Sequence, residues 1–399
     1  MANPITYRKH SIIGNPSAED DDDYLDYCFV NNGDLDVLTD VENPKCIILG
    51  RTGSGKSALI RHLTATTKDK VITIDPDALS LNYLSNSTII SYFESLGINL
   101  DTFYQYLWRH IFCVEIIRFH YQISGRGSAN TLLSYLSNKF NFDGAKKIAI
   151  DYIKEWSDSF WLDTEPRIKE FVNKFETRVG MEVGASHGPL SVKASDARTE
   201  SGEERGEIVR KGQNVVNSVQ MQALHSVISL LSDQLKHQYN HYYIVIDRLD
   251  ENWVDDSIRY KLIRALIEVI KTFRKISSVK IIVAIRSDLL DRVLEQTRDS
   301  GFQAEKYESL FLRIRWTREH LKDLADRRIS LLFRRKYTTD SVDFVSLFPN
   351  RIQHVHSLAG CGKRVWSRVS GHDSIPSVNS WRRRGCVARM VGRINFSAM

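Results

Sequence analysis

Eight consecutive residues, Gly50-Arg51-Thr52-Gly53-Ser54-Gly55-Lys56-Ser57, meet every required position of the pattern G-x-x-x-x-G-K-[ST]. The spacing has a chemical reason. Glycines let the backbone curl so that several N–H groups converge on one anion. A helix beginning near Lys56 adds the positive end of its dipole at the same spot. Lys56 then reaches the β- and γ-phosphates of a nucleoside triphosphate, and the Ser57 hydroxyl binds the accompanying Mg²⁺. The expected ligands are ATP and Mg²⁺, and the expected binding set runs from Gly50 through Ala58. A plain glycine turn leaves the Lys-Ser order unexplained. A second candidate, Gly360-Cys361-Gly362-Lys363, fails: position 357 is Ser, and Arg364 after the lysine has no hydroxyl for a metal.

Hydrolysis needs a carboxylate at the end of a neighbouring strand to hold Mg²⁺ through water. Tyr243-Ile244-Val245-Ile246 is apolar and ends in Asp247, so Ser57 and Asp247 are the expected metal-holding residues. Arg248-Leu249-Asp250-Glu251 follows, and a carboxylate just beyond the strand can orient or polarise the attacking water. Glu251 is the first choice and Asp250 the second. The structural alternative is that both only cap a helix starting near Asp255. Ile281 to Ile285 is another apolar run, ending in Arg286-Ser287-Asp288. An Arg at such a tip can sense the γ-phosphate and neutralise transition-state charge, or can simply form an ion pair with Asp288 or Asp250. The expected catalytic set is therefore Lys56, Asp247, Asp250, Glu251 and Arg286.

These residues need a scaffold. Lys45 to Leu49 reads as a buried strand, Lys56 to Thr64 as a helix with Leu59, Ile60 and Leu63 on one face, and Val71 to Ile74 as a second strand stopped by Asp75-Pro76. Tyr242 to Ile246 and Val279 to Ile285 read as further buried strands flanking a helix from Asp255 to Ile276, and Leu310 to Ile314 as a last strand. The expected fold class is α/β, a P-loop NTPase core with a parallel sheet, a large helical insertion containing a β-hairpin, and a short helical lid. The expected divisions are an acidic N-terminal segment (1–44), the P-loop half of the core (45–80), a mainly helical insertion with a hairpin near 179–195 (81–240), the second half of the core (241–316), a lid helix (317–345) and a basic, poorly ordered tail (346–399). In the insertion, Leu107, Ile111, Val114 and Ile117 recur at helical spacing, so its aromatics read as core.

Composition bounds the rest. An apolar fraction of 42% with 26% charged residues is that of an ordinary globular protein. Five scattered cysteines without CxxC spacing argue against a disulfide scaffold or zinc site and fit a reducing compartment. The N-terminus lacks a long apolar run, and Phe103 to Ile123 carries Arg109, His110, Glu115 and Arg118, too polar for a membrane span. A cytoplasmic protein without a membrane partner is the expectation. The net charge of +6 is uneven: from Val345 onward eight Arg and one Lys face Asp373 alone, which leaves −2 for residues 1–344. Nucleic acid is thus expected to bind, if anywhere, through the tail. The run Glu19-Asp20-Asp21-Asp22-Asp23 reads as a solvated surface segment, with docking of a basic partner as the alternative.

Absences narrow the class. There is no N-K-x-D after the core strands and no L-S-G-G-Q, and about 190 residues separate the phosphate loop from Asp247, too many for a compact nucleotide kinase. GRTGSGKS, IVIDRLDE and IIVAIRSD together resemble the STAND-type and KAP-type branch of P-loop ATPases, in the ASCE class. NACHT ATPases there carry D-x-x-D-E after the strand, matched by Asp247, Asp250 and Glu251, and an Arg at the sensor-strand tip, matched by Arg286. AEDDDDYLDYCFVNNGDLDVL, ahead of the first strand, also resembles bacterial members, so that the likeness spans about residues 12–335. It implies ATP hydrolysis coupled to a conformational or assembly switch in bacterial antiviral defence or signalling, with an effector protein or further copies of the chain as partners. A DNA-acting motor or loader is the rival, and a nucleotide-binding scaffold without turnover a third reading. A motor should carry basic charge on its folded body, whereas here the tail holds it. Two features depart from the pattern: Arg248 stands where many relatives place an acid or Gly, and the helical period fades after Phe333, which implies an incomplete lid.

Overall fold

The computed structural model describes residues 11–15, 17–67, 70–77, 99–120, 227–229, 232, 241–274, 276–297, 304–337, 342–347, 351–358 and 361–368, the last two by their backbone. The expected hairpin near 179–195, most of the insertion 81–240 and the tail beyond 368 lie outside the described residues. The chain divides into two compact units, one of residues 36–49 and 67–313, the other of residues 1–35, 50–66 and 314–399.

The first of these units holds a five-stranded parallel sheet. Its strands are β1 (Ile47–Gly50, whose last residue belongs to the other unit), β2 (Val71–Ile74), β3 (Tyr242–Ile246), β4 (Val279–Arg286) and β5 (Phe311–Arg313), in the order β2-β3-β4-β1-β5. The unbroken apolar runs follow from this placement, since a parallel strand covered on both faces has no polar side to show. β1, β3 and most of β4 are buried throughout. Because the strands are parallel, β1, β3 and β4 all end on one edge of the sheet.

Two long helices pack in this unit. The helix at 101–120 is buried around most of its circumference rather than along the one expected stripe: Phe103, Tyr104, Trp108, Phe112 and Cys113 are buried beside Leu107, Ile111, Val114 and Ile117. A helix apolar on all sides is a core element. It lies against the helix Asp256–Phe273, where Trp108 Nε1 donates to Leu262 O at 2.9 Å and Phe112 meets Phe273 edge-on at 5.3 Å. Ser287–Gln296 is a short helix directly after β4 that the sequence reading missed, with Leu289, Leu290 and Val293 buried. At the opposite edge of the sheet, Lys280 on β4 is buried and donates to Val37 O at 2.8 Å and Asp40 O at 2.7 Å.

Among the described residues the other unit holds the helices α1 (Asp22–Cys28), α3 (Lys56–Thr66) and α7 (Arg318–Lys336); in chain order, further helices are α2 (Asp34–Thr39), α4 (Asp101–His120), α5 (Asp256–Phe273) and α6 (Ser287–Gln296). Most of the acidic run is exposed, as its composition suggests, but Asp21 is not. Asp21 is 3% exposed and accepts from Arg328 at 2.5 Å, while Arg328 also donates to Ile13 O at 3.1 Å. Arg327 donates to Phe29 O at 2.7 Å, Arg335 lies over the rings of Tyr24 and Tyr27, and Arg61 of α3 pairs with Asp22. Asp21 finds its cation on α7, about three hundred residues onward, which no local window reveals.

α7 starts on a cap, Thr317 Oγ1 accepting from His320 N at 3.2 Å, and runs past Phe333 to Lys336. Its C-terminal end is covered by residues 342–347: Ile329, Phe333 and Val342 form a small buried cluster against Tyr337, Phe344 and Leu347. The fading period after Phe333 thus marks a turn back onto the helix. Beyond it, β6 (Arg351–Leu358) and β7 (Cys361–Arg368) pair antiparallel. Among the described residues no helix is long and apolar enough to cross a membrane.

Candidate functional site

The loop between β1 and α3 owes its shape to two glycines. Gly53 has φ +75° and Gly55 φ +91°, a region where a side chain is strained and glycine is not. Ser54 N donates to Arg51 O at 3.1 Å, closing a turn, and Leu59 N donates to Gly55 O at 2.9 Å, the first bond of α3. The leading N–H groups of α3 therefore have no acceptor within their own helix. A Cβ on Gly50 would collide with Ser54 Oγ. Lys56 folds back over the loop, its ammonium donating to Gly50 O at 3.2 Å and Arg51 O at 3.1 Å. Trp316, from the segment leading into α7, donates from Nε1 to Ser54 O at 2.8 Å.

These residues fit a phosphate. Ser54 Oγ is buried and has no hydrogen-bond partner, an arrangement that a folded protein rarely leaves unanswered. It sits in a loop whose amides, lysine ammonium and helix N-terminus all favour an anion. Arg51, Thr52 and Gly53 are exposed, while Lys56, Ser57 and Ala58 are half-buried in the first turn of α3. The residues expected to bind nucleotide, Gly50 to Ala58, are thus gathered by chain contiguity alone.

The carboxylates belong to the sheet unit. Ile246, the last residue of β3, lies beside Ile74 of β2 on one side and Val283 of β4 on the other. Asp247 follows, and its Oδ1 accepts from Arg248 N at 2.8 Å. Arg248 takes φ +60°, a left-handed turn uncommon for a residue with a side chain. Glycine adopts such a bend without strain, so Arg248 holds it at some cost. The chain is then fastened from below. Leu249, Trp253 and Val254 are buried, Trp253 Nε1 donates to Leu249 O at 3.0 Å, and buried Arg259 donates to Glu251 O at 2.8 Å and Asn252 Oδ1 at 3.2 Å. Asp250 and Glu251 are left on the exposed side. Neither is the N-cap residue of α5, a position that Asp255 holds.

Burial raises the Glu251 carboxyl above its ordinary value; Arg248, 3.8 Å away, opposes the shift, and Asp77 and Asp250 reinforce it, Asp77 also through a side-chain hydrogen bond. A carboxylate of raised basicity is the better proton acceptor near neutral pH. Asp77 is a residue that the sequence reading missed. It stands directly after Asp75-Pro76, the stop to β2, and the pairing of β2 with β3 is the missing signal. Arg286, at the tip of β4, donates from Nε to Asp288 Oδ1 at 3.0 Å and from a terminal nitrogen to Asp288 Oδ2 at 2.6 Å, and reaches Asp250 Oδ2 at 3.5 Å. The hydrogen bonds from Arg286 hold the Asp288 carboxyl below the ordinary range. The ion pairs that sequence offered as an alternative role for Arg286 are therefore present, and they link the tips of β3 and β4. Among the described residues no group of three or more His, Cys, Asp or Glu is placed to hold a metal by side chains alone. A Mg²⁺ bound to nucleotide asks for less, since it keeps several waters and needs one or two protein ligands.

Comparison with protein families matches residues 36–314 to the KAP family P-loop domain. A comparison with curated proteins gives no significant match. The matched stretch runs through the phosphate loop and all five strands of the sheet, and stops short of the acidic segment at 18–28, of Trp316 and of α7. With the loop, the strand order and the family pattern in agreement over some two thirds of the length, the chain belongs to the KAP family of P-loop NTPases.

Proposed function

We propose that the chain binds ATP with Mg²⁺ at Gly50–Ala58, hydrolyses it, and uses the cycle as a conformational or assembly switch. The observation that carries this reading is the loop itself: two left-handed glycines, a lysine folded over the turn, and a buried serine hydroxyl without a partner. Lys56 neutralises charge on the β- and γ-phosphates. Ser57 and Asp247 are the residues that would hold the metal. When bound, Mg²⁺ offsets the negative charge of the phosphates and orients them.

Glu251 accepts a proton from the attacking water, and Asp250 shapes the field around it. Arg286 answers to the γ-phosphate: the two aspartates that now hold it keep the guanidinium charged and aimed. Departure from Asp250 is the movement it would make to meet phosphate. α7 and residues 342–347 serve as the lid. Binding would favour one lid state and hydrolysis release it. An effector protein or further copies of the chain would read that state, in bacterial defence or signalling.

The charge pattern favours a switch over a DNA-driven motor, since residues 1–344 sum to −2. Phosphate release with and without DNA tests the proposal. Turnover that DNA leaves unchanged supports it. Turnover that appears only with DNA supports the motor, and ATP binding without any phosphate release supports a scaffold.

A further inference from the structure

We propose that Trp316 is a positioning residue for the phosphate loop, fixing the Ser54–Gly55 peptide so that the Gly55 N–H faces bound nucleotide. The inference rests on the reading of Gly50–Ser57 as a nucleotide site and adds a residue outside that loop and outside the family-matched stretch 36–314.

An indole N–H is a donor only, and here it has one acceptor, Ser54 O at 2.8 Å. The indole ring also covers this peptide: a Cβ at position 55 would lie 3.5 Å from Trp316 Cζ2 and 3.7 Å from Nε1. A peptide unit is planar and trans, so its C=O and N–H point in opposite directions. Holding Ser54 C=O on Trp316 therefore turns Gly55 N–H to the other side of the plane.

The peptides on either side are held by backbone bonds, the preceding one through Ser54 N to Arg51 O and the following one through Gly55 O to Leu59 N. The Ser54–Gly55 plane between them is held by Trp316. Gly55 sits at φ +91°, and the freedom that lets glycine hold this angle also lets the plane rotate. A flipped plane presents a carbonyl oxygen where an amide had been and repels phosphate. Thr317, the next residue, caps α7, so the same tryptophan ties the setting of this peptide to the first turn of that helix.

Trp316→Phe keeps an aromatic ring and removes the donor. The expected result, by calorimetry, is a Kd that rises about 5- to 10-fold for ADP and for ATP alike, the effect of one hydrogen bond. KM for phosphate release should rise by the same factor while kcat changes less than about twofold, because the amide serves both ground and transition states. A variant that melts like wild type and binds ADP with unchanged Kd overturns the assignment. So does a loss of binding that tracks a smaller folded fraction, with Kd per folded molecule unaltered. Wild-type protein that binds neither ADP nor ATP overturns the nucleotide reading itself, and this inference with it.

Discussion

Arg286 and Asp288 are joined by two parallel hydrogen bonds, at 3.0 and 2.6 Å, and the same guanidinium stands 3.5 Å from Asp250 on the neighbouring strand tip. The pair is about one third to one half exposed, so its contribution to stability is small, at most about 1 kcal/mol. Arg286→Ala should therefore melt within a few degrees of wild type. Turnover should fall by about 10³-fold or more if the guanidinium meets transition-state charge, with ATP affinity changed far less. A variant with normal kcat per folded molecule leaves Arg286 a purely structural ion pair.

Lys56→Ala removes the cation that folds over the loop. Losing a charge-assisted contact of about 1.5–3 kcal/mol should weaken ATP and ADP by roughly 10- to 100-fold. Calorimetry at constant Mg²⁺ checks this, and equal affinities in mutant and wild type would contradict the phosphate assignment.

Glu251→Gln keeps size and loses basicity, so ATP should stay bound while kcat drops by about 10²- to 10⁴-fold. The raised Glu251 carboxyl also predicts a pH profile. The base must be ionised, so kcat falls as pH drops through a value above the ordinary 4.5 of a glutamate. Asp77→Asn removes a neighbouring negative charge and should move that acid limb to lower pH. If the limb stays put in Asp77→Asn but moves in Asp250→Asn, Asp250 is the neighbour that tunes the base. If Asp250→Asn abolishes turnover while Glu251→Gln leaves it normal, the two carboxylates exchange roles.

Asp21 is buried against Arg328, and removing one member of a buried pair strands the other. Asp21→Ala should cost about 3 kcal/mol. Thermal melts should show the loss directly, and a variant as stable as wild type would mean that the acidic segment is not fastened by this pair.

Burial lowers the Lys280 ammonium to about 8 from an ordinary 10.5. The folded chain then binds fewer protons at this site than the unfolded chain between those two values, so the site's contribution to stability rises with pH there. Below about 8 both states are charged and the full cost of roughly 3 kcal/mol is present. The bonds to Val37 O and Asp40 O survive deprotonation, because a neutral amine still has two N–H groups. Urea melts at pH 7.5 and 9.5 check the sign: wild type should gain on Lys280→Met as pH rises. A wild type that loses ground to Lys280→Met as pH rises would instead show that the ammonium is stabilised where it sits.

Legibility in the sequence followed the range of the interaction. The phosphate loop could be read because all its parts lie within nine residues, and β2 and β3 because a buried parallel strand is its own apolar run. What stayed hidden depends on partners far along the chain. Asp21 looks solvated until Arg328 is beside it, and Asp77 looks like a strand stop until β2 lies next to β3. Trp316 stands in a stretch without a repeating pattern and touches a loop some 260 residues earlier. Ser287–Gln296 was missed for a different reason: its three buried residues, Leu289, Leu290 and Val293, make too short a stripe to outweigh the polar residues between them.

The strand order has a bearing on how the chain is made. β1 is flanked in the sheet by β4 and β5, which are synthesised more than two hundred residues after it. At about 5–20 residues per second, the strand that leads into the phosphate loop leaves the ribosome tens of seconds before either neighbour exists. During that interval Ile47, Ile48 and Leu49 have no sheet to enter, and β2 likewise waits for β3. Assembly of the sheet around β1 is therefore a late event, and a nascent chain halted before residue 279 carries an intact phosphate-loop sequence without the strands that flank β1.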